Sequence, residues 1–434
     1  MMSKWRWLLK RFLRHIWVRV LAFGLLGVVT ALAAIWLAPL LPDDLSTKLG
    51  ADAVGSLLNI MATSMLTVST FSLSIMVQAF ASAANGGTPR ATALLQGDST
   101  SQSVLATFIG AFIYSLVGLI ALKMGVYGNE GRLILYAVTI AVMGFIVLAL
   151  LRWIAHLTGF GLLADTLARV ETAATTAHRA RAADPYLGGN PAFDGPPAQA
   201  EPICAEAVGY VQHLDLETLS DLAEEIGGRL FLAALPGSFV HPAHPLAYVE
   251  PLPEDAARRQ SFEDRIRACH VVGPARSFDQ DPRFGLIVLA EIGARALSPA
   301  VNDPGTGIDV IGRVLRVLLL WRGAKPGRVC YPRLWVPPVQ VADMLADGFA
   351  PIARDGAAMV EVQVRLQKAL LALAQIEPAR FGAAAAQQSA AAAAQAEAAL
   401  ALPEDRAWVA GLAREVAEAA SGAAETGRAP VMRF

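Results

Sequence analysis

Cysteine is scarce in this sequence, and the three that occur, Cys204, Cys269 and Cys330, are far apart. They form no CxxC pair of the kind that binds zinc, and an odd number of separated cysteines builds no disulfide framework. This usage is typical of a reducing compartment.

Charge of one sign is also lacking. The 36 basic residues are balanced by 37 acidic ones, which leaves a formal net charge of −1. No basic run with interleaved aromatic residues occurs in the polar part of the chain, so we expect no nucleic-acid partner.

The usual motifs of catalysis and cofactor binding are missing as well. The sequence contains no nucleophile elbow, Walker loop, Rossmann glycine set or HExxH motif. His241 and His244 are close together, but each precedes a proline and neither has a cysteine or a carboxylate cluster nearby, which argues against a metal site. We therefore expect no enzyme, no cofactor and no metal, and a membrane enzyme is the least favoured hypothesis.

Long apolar runs are abundant in the first part of the chain. A membrane-spanning helix needs about 20 mostly apolar residues. Four segments meet this requirement, at residues 16–40, 53–82, 104–124 and 132–157. The first run is longer than the apolar region of a signal peptide and ends at prolines, so we expect an anchor that is not cleaved.

The distribution of positive charge predicts the orientation of these spans, because cytoplasmic flanks accumulate Lys and Arg. Basic residues precede the first span, namely Lys4, Arg6, Lys10, Arg11 and Arg14, and others follow the fourth, namely Arg152, Arg169, Arg179 and Arg181. The loop after the first span is acidic instead, with Asp43, Asp44 and Asp52 against Lys48. The pattern predicts a multi-pass protein of the bacterial inner (plasma) membrane with both termini in the cytoplasm.

A polar stripe runs along the second span. On a helical wheel, eight polar residues fall within one arc of about 100°. They are Asp52, Ser56, Asn59, Thr63, Thr67, Thr70, Ser74 and Gln78.

Two interpretations of this stripe compete. The hydroxyls can bond to carbonyls of their own helix or across to a neighbouring helix, as small polar residues do at membrane-helix contacts. Alternatively, several copies of the helix can surround an axis, so that the stripe lines a hydrated path for a permeant ion. The lone amides of Asn59 and Gln78 favour the second interpretation because amides are costly in lipid.

Ionised residues are almost absent from the predicted spans. Arg19 lies close enough to the cytoplasmic edge to extend its charge to the interface. A proton relay or ion-coupled carrier normally keeps an acidic or His side chain at mid-depth. This pattern argues for a passive pore or a structural bundle and against a coupled transporter.

The rest of the chain reads as a soluble region. Residues 159–202 are predicted to form an amphipathic connecting helix and a flexible Gly- and Pro-rich linker, residues 203–330 an α+β cytoplasmic domain, and residues 331–434 a helical, Ala-rich C-terminal region. The predicted fold is therefore an α-helical transmembrane bundle of four spans over residues 1–158, followed by an α+β cytoplasmic domain and a helical C-terminal region.

The sharpest motif in the soluble region is Ser298-Pro299-Ala300-Val301-Asn302-Asp303-Pro304. Asp303 suits the N-cap and Pro304 the first position of a following helix, which explains the run without a function. A second interpretation makes Ser298, Asn302 and Asp303 part of a ligand or subunit interface at that helix N-terminus.

Several segments resemble a known family. They include residues 62–68 (Ala-Thr-Ser-Met-Leu-Thr-Val), residues 108–116, residues 209–215 (Gly-Tyr-Val-Gln-His-Leu-Asp), residues 236–240 (Pro-Gly-Ser-Phe-Val), residues 279–285 and residues 295–304. Together they resemble the bacterial predicted-membrane-protein family catalogued as domain of unknown function 2254, over roughly residues 1–370. The chain departs from the family pattern at Asn85-Gly86-Gly87 and at Ala300. The resemblance implies a membrane protein and implies no activity.

Our leading hypothesis is a homo-oligomeric, channel-like pore in the lipid bilayer, with a regulatory cytoplasmic domain. The alternative is a non-conducting membrane scaffold or signal-sensing protein, in which the stripe only holds helices together.

Overall fold

The computed structural model describes residues 16–37, 53–125, 129–192, 195–325 and 327–422. The chain divides into two compact units at the boundary between Thr166 and Leu167. We call them the N-terminal unit and the C-terminal unit. The basic cluster before the first predicted span and the acidic loop after it, which includes Asp52, lie outside the described residues.

The described part of the N-terminal unit is helical. Its helices are α1 (Ile16–Leu37), α2 (Val54–Gly86), α3 (Pro89–Gln96), α4 (Ser99–Lys123) and α5 (Asn129–Leu157). The starts of α3 and α4 are set by side-chain caps: Thr88 accepts a hydrogen bond from the Ala91 amide, and Asp98 accepts one from the Ser101 amide. Helix α4 contacts α1, α2 and α5, so it is the common packing partner of this bundle.

Three of the described helices are long and apolar enough to cross a membrane. They are α2, α4 and α5, with candidate spans at Val54–Ala84, Ser99–Lys123 and Gly131–Leu157. The first predicted span coincides with α1, in which a shorter apolar stretch is found at Val20–Thr30. The structure thus supports three of the four predicted spans by length and composition.

Large side chains and one close helix contact form the core of this bundle. Phe108 and Tyr114 of α4 are fully buried, and the Tyr114 hydroxyl lies 3.3 Å from Thr139 Oγ1 on α5. A Cβ at Gly118 would stand 3.1 Å from Leu58 Cδ1, so glycine lets α2 approach α4 closely. The interior is therefore apolar with satisfied hydroxyls.

Helix α6 (Leu163–Ala183) begins before the unit boundary and ends after it. The strands that follow are β1 (Asn190–Pro191), β2 (Glu201–Cys204), β3 (Gly209–Leu214), β4 (Arg229–Leu232), β5 (Phe239–Val240), β6 (Pro245–Glu250), β7 (His270–Gly273) and β8 (Leu334–Val336). The helices are α7 (Leu216–Glu225), α8 (Ala256–Cys269), α9 (Pro282–Ala296), α10 (Pro304–Leu318), α11 (Val341–Asp355), α12 (Val360–Ile376), α13 (Ala383–Ala399) and α14 (Pro403–Gly422). The C-terminal unit is therefore a mixed α/β region followed by helices.

Two sheets share one hydrophobic core with α7 and α8. The larger sheet has the strand order β1-β8-β4-β6-β2, and the smaller has the order β5-β3-β7. In the larger sheet, β8 pairs in parallel with β1 and β4, whereas β6 pairs antiparallel with β4 and β2. Leu219 of α7 and Ile266 of α8 are fully buried against residues of both sheets.

The segment 184–202 differs from the flexible linker that its Gly and Pro residues predict. It contributes β1 and the start of β2 to the larger sheet, and Leu187 is buried in the shared core. Strand β8, which lies in the region predicted to be helical, is in the same sheet. The sheet thus includes strands from before and after the range 203–330 that was assigned to the α+β domain, as well as strands within it. The reason is that strand pairing joins segments that are distant in sequence.

The helical C-terminal region is confirmed, and its alanines permit close packing. Helix α12 contacts both α13 and α14. Ala385, Ala392 and Ala396 of α13 are fully buried. A buried polar pair joins α12 to α13: Ser389 Oγ donates to Gln367 Oε1 at 2.5 Å, and Gln367 Nε2 donates to the Ser389 carbonyl at 3.1 Å.

Three kinds of contact hold the part of α6 within the C-terminal unit: ion pairs, a close backbone contact and a side-chain hydrogen bond. Glu171 forms ion pairs of 2.7 Å with Arg313 and Arg316 of α10. Three residues further on, a Cβ at Gly285 of α9 would stand 2.4 Å from Ala174 Cβ, so the two helices touch backbone to backbone. Near its end, Trp321 Nε1 donates a hydrogen bond of 2.7 Å to His178 Nδ1.

Burial makes His178 and His270 acid-sensitive elements of this unit. Burial lowers the pKa of each imidazole to about 4, because the charged form loses its hydration. The unfolded chain, in which a histidine pKa is about 6.5, then binds more protons than the folded chain in the window between the two values. The stability that the two neutral histidines contribute is therefore fully present above about pH 6.5. It decreases as the pH drops through this window and is lost below about pH 4.

We expect the thermal unfolding temperature of the full-length protein in detergent to decrease when the pH is lowered from 7 to 5. Each of these two histidines should lower the free energy of unfolding by about 2 kcal/mol over that change. His178→Asn keeps an acceptor for Trp321 and removes the titrating group. The free energy of unfolding of this variant should therefore decrease less between the two pH values, by about that amount. His241→Asn alters an exposed imidazole and serves as the control. An unchanged pH dependence in His178→Asn would contradict this assignment.

Candidate functional site

The polar stripe of α2 lies on the outer surface of its own bundle. The seven described stripe residues are all exposed, namely Ser56, Asn59, Thr63, Thr67, Thr70, Ser74 and Gln78. The eighth, Asp52, lies outside the described residues. The opposite face of α2 is buried, with Leu58, Met61 and Met65 in the bundle core. The helix therefore turns its apolar side inward and its most polar side outward.

Large apolar side chains flank the stripe. Leu66 and Leu73 lie on one side of it and Phe71 on the other, by the helical periodicity of about 100° per residue. These three side chains are 50%, 49% and 67% exposed. Two further large apolar residues, Ile60 and Val77, fall within the arc itself and are 60% and 58% exposed. The outward face of α2 is therefore mostly polar, with apolar residues within it and on both of its borders.

The threonine hydroxyls of the stripe are satisfied within α2. Thr63 and Thr67 each donate to the carbonyl four residues earlier, at 3.0 Å, and Thr70 donates to the Thr67 carbonyl at 2.9 Å. Because the donor is used, each hydroxyl presents only acceptor lone pairs outward. These lone pairs can bind a cation or water, and they cost little when they face lipid.

The two amides differ from the hydroxyls in having no partner. Among the described residues, neither Asn59 nor Gln78 makes a side-chain hydrogen bond. The helical rise places them about 28 Å apart, close to the ~30 Å thickness of a bilayer hydrocarbon core. With α2 centred in a bilayer, the amides lie near the two edges and the hydroxyls lie between them.

The motif at residues 298–304 is a well-bonded helix start. Asp303 caps α10, since its carboxylate accepts hydrogen bonds from the Thr306 amide at 3.0 Å and the Thr306 hydroxyl at 2.6 Å, and Pro304 is the first helical residue. These bonds lower the pKa of Asp303, because they favour the charged carboxylate. The capping interpretation of Asp303 and Pro304 is confirmed.

The other two candidate residues of this motif shape the loop. Asn302 adopts a left-handed backbone with φ of 52°, a conformation that Asn tolerates better than most residues. Ser298 Oγ donates to the Arg295 carbonyl at 2.6 Å, and the Ser298 carbonyl accepts the Asn302 amide at 2.8 Å. Their hydrogen bonds are thus local, and a role for Ser298, Asn302 and Asp303 in binding a ligand or subunit stays a prediction.

One polar cluster in the N-terminal unit was missed by the sequence analysis. His156 Nε2 of α5 lies 3.0 Å from Asp98 Oδ2 and 3.3 Å from Ser101 Oγ. A Ser-His-Asp triad uses the two ring nitrogens for different partners, whereas here both partners meet the same nitrogen. The cluster therefore joins the capped start of α4 to the end of α5 and lacks the geometry of a nucleophile and base.

A second missed cluster lies in the C-terminal unit and contains three arginines. Arg276 Nε donates to Asp281 Oδ2 at 2.7 Å, and Arg283 pairs with Asp343 at 2.7 Å and with Asp347. Arg181 of α6 lies beside them and is 3% exposed. The separation of about 100 residues between Arg181 and Asp281 is why no local pattern predicted this cluster.

Comparison with known proteins gives a family match over most of the chain. The family described as predicted membrane protein (DUF2254) matches residues 14–372. Two uncharacterized proteins, one of Mycobacterium bovis and one of Mycobacterium tuberculosis, are each 31% identical to this chain over 386 residues, which covers 85% of this chain and 72% of the relative. No solved structure gives a significant match.

We expect Asp303→Ala to lower the free energy of unfolding by about 1 kcal/mol, because the start of α10 loses its cap. Asp303→Asn keeps an oxygen acceptor and should retain most of that stability. Thermal unfolding of the full-length variants in detergent measures both. Equal destabilisation by Ala and Asn would show that the carboxylate charge, and not the cap, is what the loop needs.

Proposed function

The chain belongs to the DUF2254 family of predicted membrane proteins, and we propose that it forms a homo-oligomeric, channel-like pore in the bacterial inner membrane. Each subunit crosses the membrane four times, with both termini and the C-terminal unit in the cytoplasm. The C-terminal unit regulates the pore.

Helix length and flanking charge support the fourth crossing. Helix α1 has 22 residues, which at about 1.5 Å per residue is long enough for a ~30 Å hydrocarbon core. An even number of crossings puts the basic N-terminal segment and the basic region after α5 on the same side, as the positive-inside rule requires.

The observation that carries the proposal is the outward position of the stripe on α2. A polar face that turned toward its own bundle would be explained by packing within one subunit. This face instead points away from the subunit, toward lipid or toward another protein surface. Copies of α2 arranged around an axis would turn lipid-facing polar groups into the lining of a hydrated path.

The chemistry of the stripe suits a passive pore. Helix α2 carries no ionisable side chain, so it has no fixed charge to bind an ion tightly or to couple its movement to a proton. The outward hydroxyl and amide oxygens can replace part of the hydration shell of a cation. Asp52 at the outer mouth would bias such a path toward cations.

The alternative, a non-conducting scaffold or signal-sensing protein, is favoured by one observation. The hydroxyls of Thr63, Thr67 and Thr70 bond back to α2 itself, so they need no water. In that case the stripe would be a contact surface between subunits without a lumen, as small polar residues provide in other membrane helices.

We expect purified protein in planar bilayers to conduct, and we expect Thr67→Leu and Thr70→Leu to lower the unitary conductance, because each adds apolar bulk to every subunit around the path. Phe71→Leu is the matched control, since Phe71 is the exposed neighbour of Thr70 on the apolar border. Its conductance should be close to that of the unaltered protein.

The oligomeric state in detergent separates the hypotheses. A pore requires several copies, so a monomer by light scattering would contradict it. An oligomer that stays silent across voltage, tension and pH would support the scaffold instead. Equal conductance of Thr70→Leu and Phe71→Leu would place the path elsewhere in the protein.

A further inference from the structure

Arg181, Arg276 and Arg283 line a cavity of about 440 Å³ in the C-terminal unit. Its walls come from the end of α6, the turn after β4, the loop between β7 and α9, and the loop between β8 and α11. Besides the arginines, Tyr210 and Phe239 line it. This volume is in the range of small-molecule sites and far exceeds that of a single inorganic ion.

Arg181 is a buried cation with an unused donor. Its Nη1 is buried without a hydrogen-bond partner, and its Nη2 lies 3.4 Å from the Gln280 carbonyl. It forms no ion pair with a described carboxylate. Burial lowers its pKa to about 10, despite the attraction of Asp281 and Asp184. A buried guanidinium with a free donor is the arrangement expected where an absent anion completes the hydrogen bonding.

The two neighbouring arginines differ in how many of their nitrogens donate hydrogen bonds. Arg283 gives Nε, Nη1 and Nη2 to Asp347 and Asp343. Arg276 gives only Nε to Asp281, so among the described groups its two Nη groups remain without hydrogen bonds. Arg181 and Arg276 both line the cavity, and each keeps guanidinium N–H groups that no described acceptor uses. Guanidinium groups bind phosphate through such donors.

The carboxylate of Asp281 already accepts several hydrogen bonds within the protein. It accepts hydrogen bonds from the Arg283 and Phe284 amides at 3.0 and 3.2 Å, in addition to Arg276. Gly237 closes over it: the glycine has φ of +97°, and a Cβ there would stand 2.4 Å from Asp281 Oδ2. The acid thus fixes the wall of the cavity and orients Arg276.

An aromatic surface lies at the same cavity. Tyr210 and Phe239 form an edge-to-face pair with ring centroids 5.1 Å apart, and Phe239 is 50% exposed. An exposed ring beside arginine donors offers a stacking surface to a planar group of the ligand.

We propose that this cavity binds a nucleoside monophosphate, with its phosphate held by Arg181 and Arg276 and its base stacked on Phe239. Three of the segments that carry the family resemblance, at residues 209–215, 236–240 and 279–285, meet here. The inference does not depend on pore formation. If the pore exists, a ligand on Arg181 contacts α6, the helix that leads from the N-terminal unit.

The test is calorimetric titration and thermal unfolding of the full-length protein in detergent with AMP, GMP, CMP and UMP, and with adenosine and inorganic phosphate as partial ligands. At least one monophosphate should bind, and should do so about tenfold or more tightly than either adenosine or phosphate, because the two recognition elements act together. Absence of binding by all four monophosphates overturns the proposal, and phosphate binding as tightly as any of them overturns the base contact.

Two variants test the named contacts. Arg181→Met keeps the length of the side chain and should weaken nucleotide binding by at least about tenfold. Its ligand-free unfolding temperature should be equal or higher, since an uncompensated buried charge is removed. A purely structural Arg181 would instead give a lower unfolding temperature with undiminished binding, which would overturn its assignment.

Phe239 is half-exposed, so Phe239→Ala should fold. This variant therefore tests the site even if Arg181→Met does not fold. It should weaken nucleotide binding severalfold while leaving phosphate binding unchanged. Arg229→Met and Trp408→Ala are the matched controls, since both residues are partly exposed and neither lines the cavity. Equal nucleotide affinity in Phe239→Ala and in Trp408→Ala would overturn the stacking contact.

Discussion

A polar side chain on a membrane helix must find its hydrogen bonds within the protein, because the hydrocarbon core supplies none. Along one face, helix α2 meets this constraint at its threonines and leaves it unmet at its two amides. Its threonines use the carbonyls of the helix itself, whereas Asn59 and Gln78 remain open near the ends. The surface presented to a neighbour is therefore polar without being charged. Such a surface tolerates lipid briefly and is better satisfied by water or by a second subunit.

The C-terminal unit is organised around the last turns of α6. An ion-pair group at Glu171, a backbone contact at Ala174 and a hydrogen bond at His178 hold the helix along three successive stretches. The contact at Gly285 needs glycine, since any side chain there would enter α6. These contacts join α6 to α9 and α10 within the C-terminal unit.

Arg181 ends that series of contacts and differs from the others. Glu171 is paired with two arginines, and His178 accepts a hydrogen bond from Trp321. The Arg181 guanidinium is a buried cation without an ion pair to a described carboxylate, and its Nη1 has no hydrogen-bond partner. Folding a chain around such a cation is costly unless something repays the lost hydration.

Local composition and periodicity are sufficient to predict several features of this protein. Apolar runs of sufficient length predict α2, α4 and α5, the Asn-Asp-Pro run predicts the capped start of α10, and the 100° spacing predicts that the residues from Ser56 to Gln78 share one face. Each of these follows from neighbours within one or two helical turns. The direction in which that face points could not be predicted in this way, because it depends on how α2 packs against α4. Likewise the tertiary structure placed β1 and β8 in one sheet and Arg181 beside Asp281, since strand pairing and burial join residues about 100 or more positions apart that carry no local pattern.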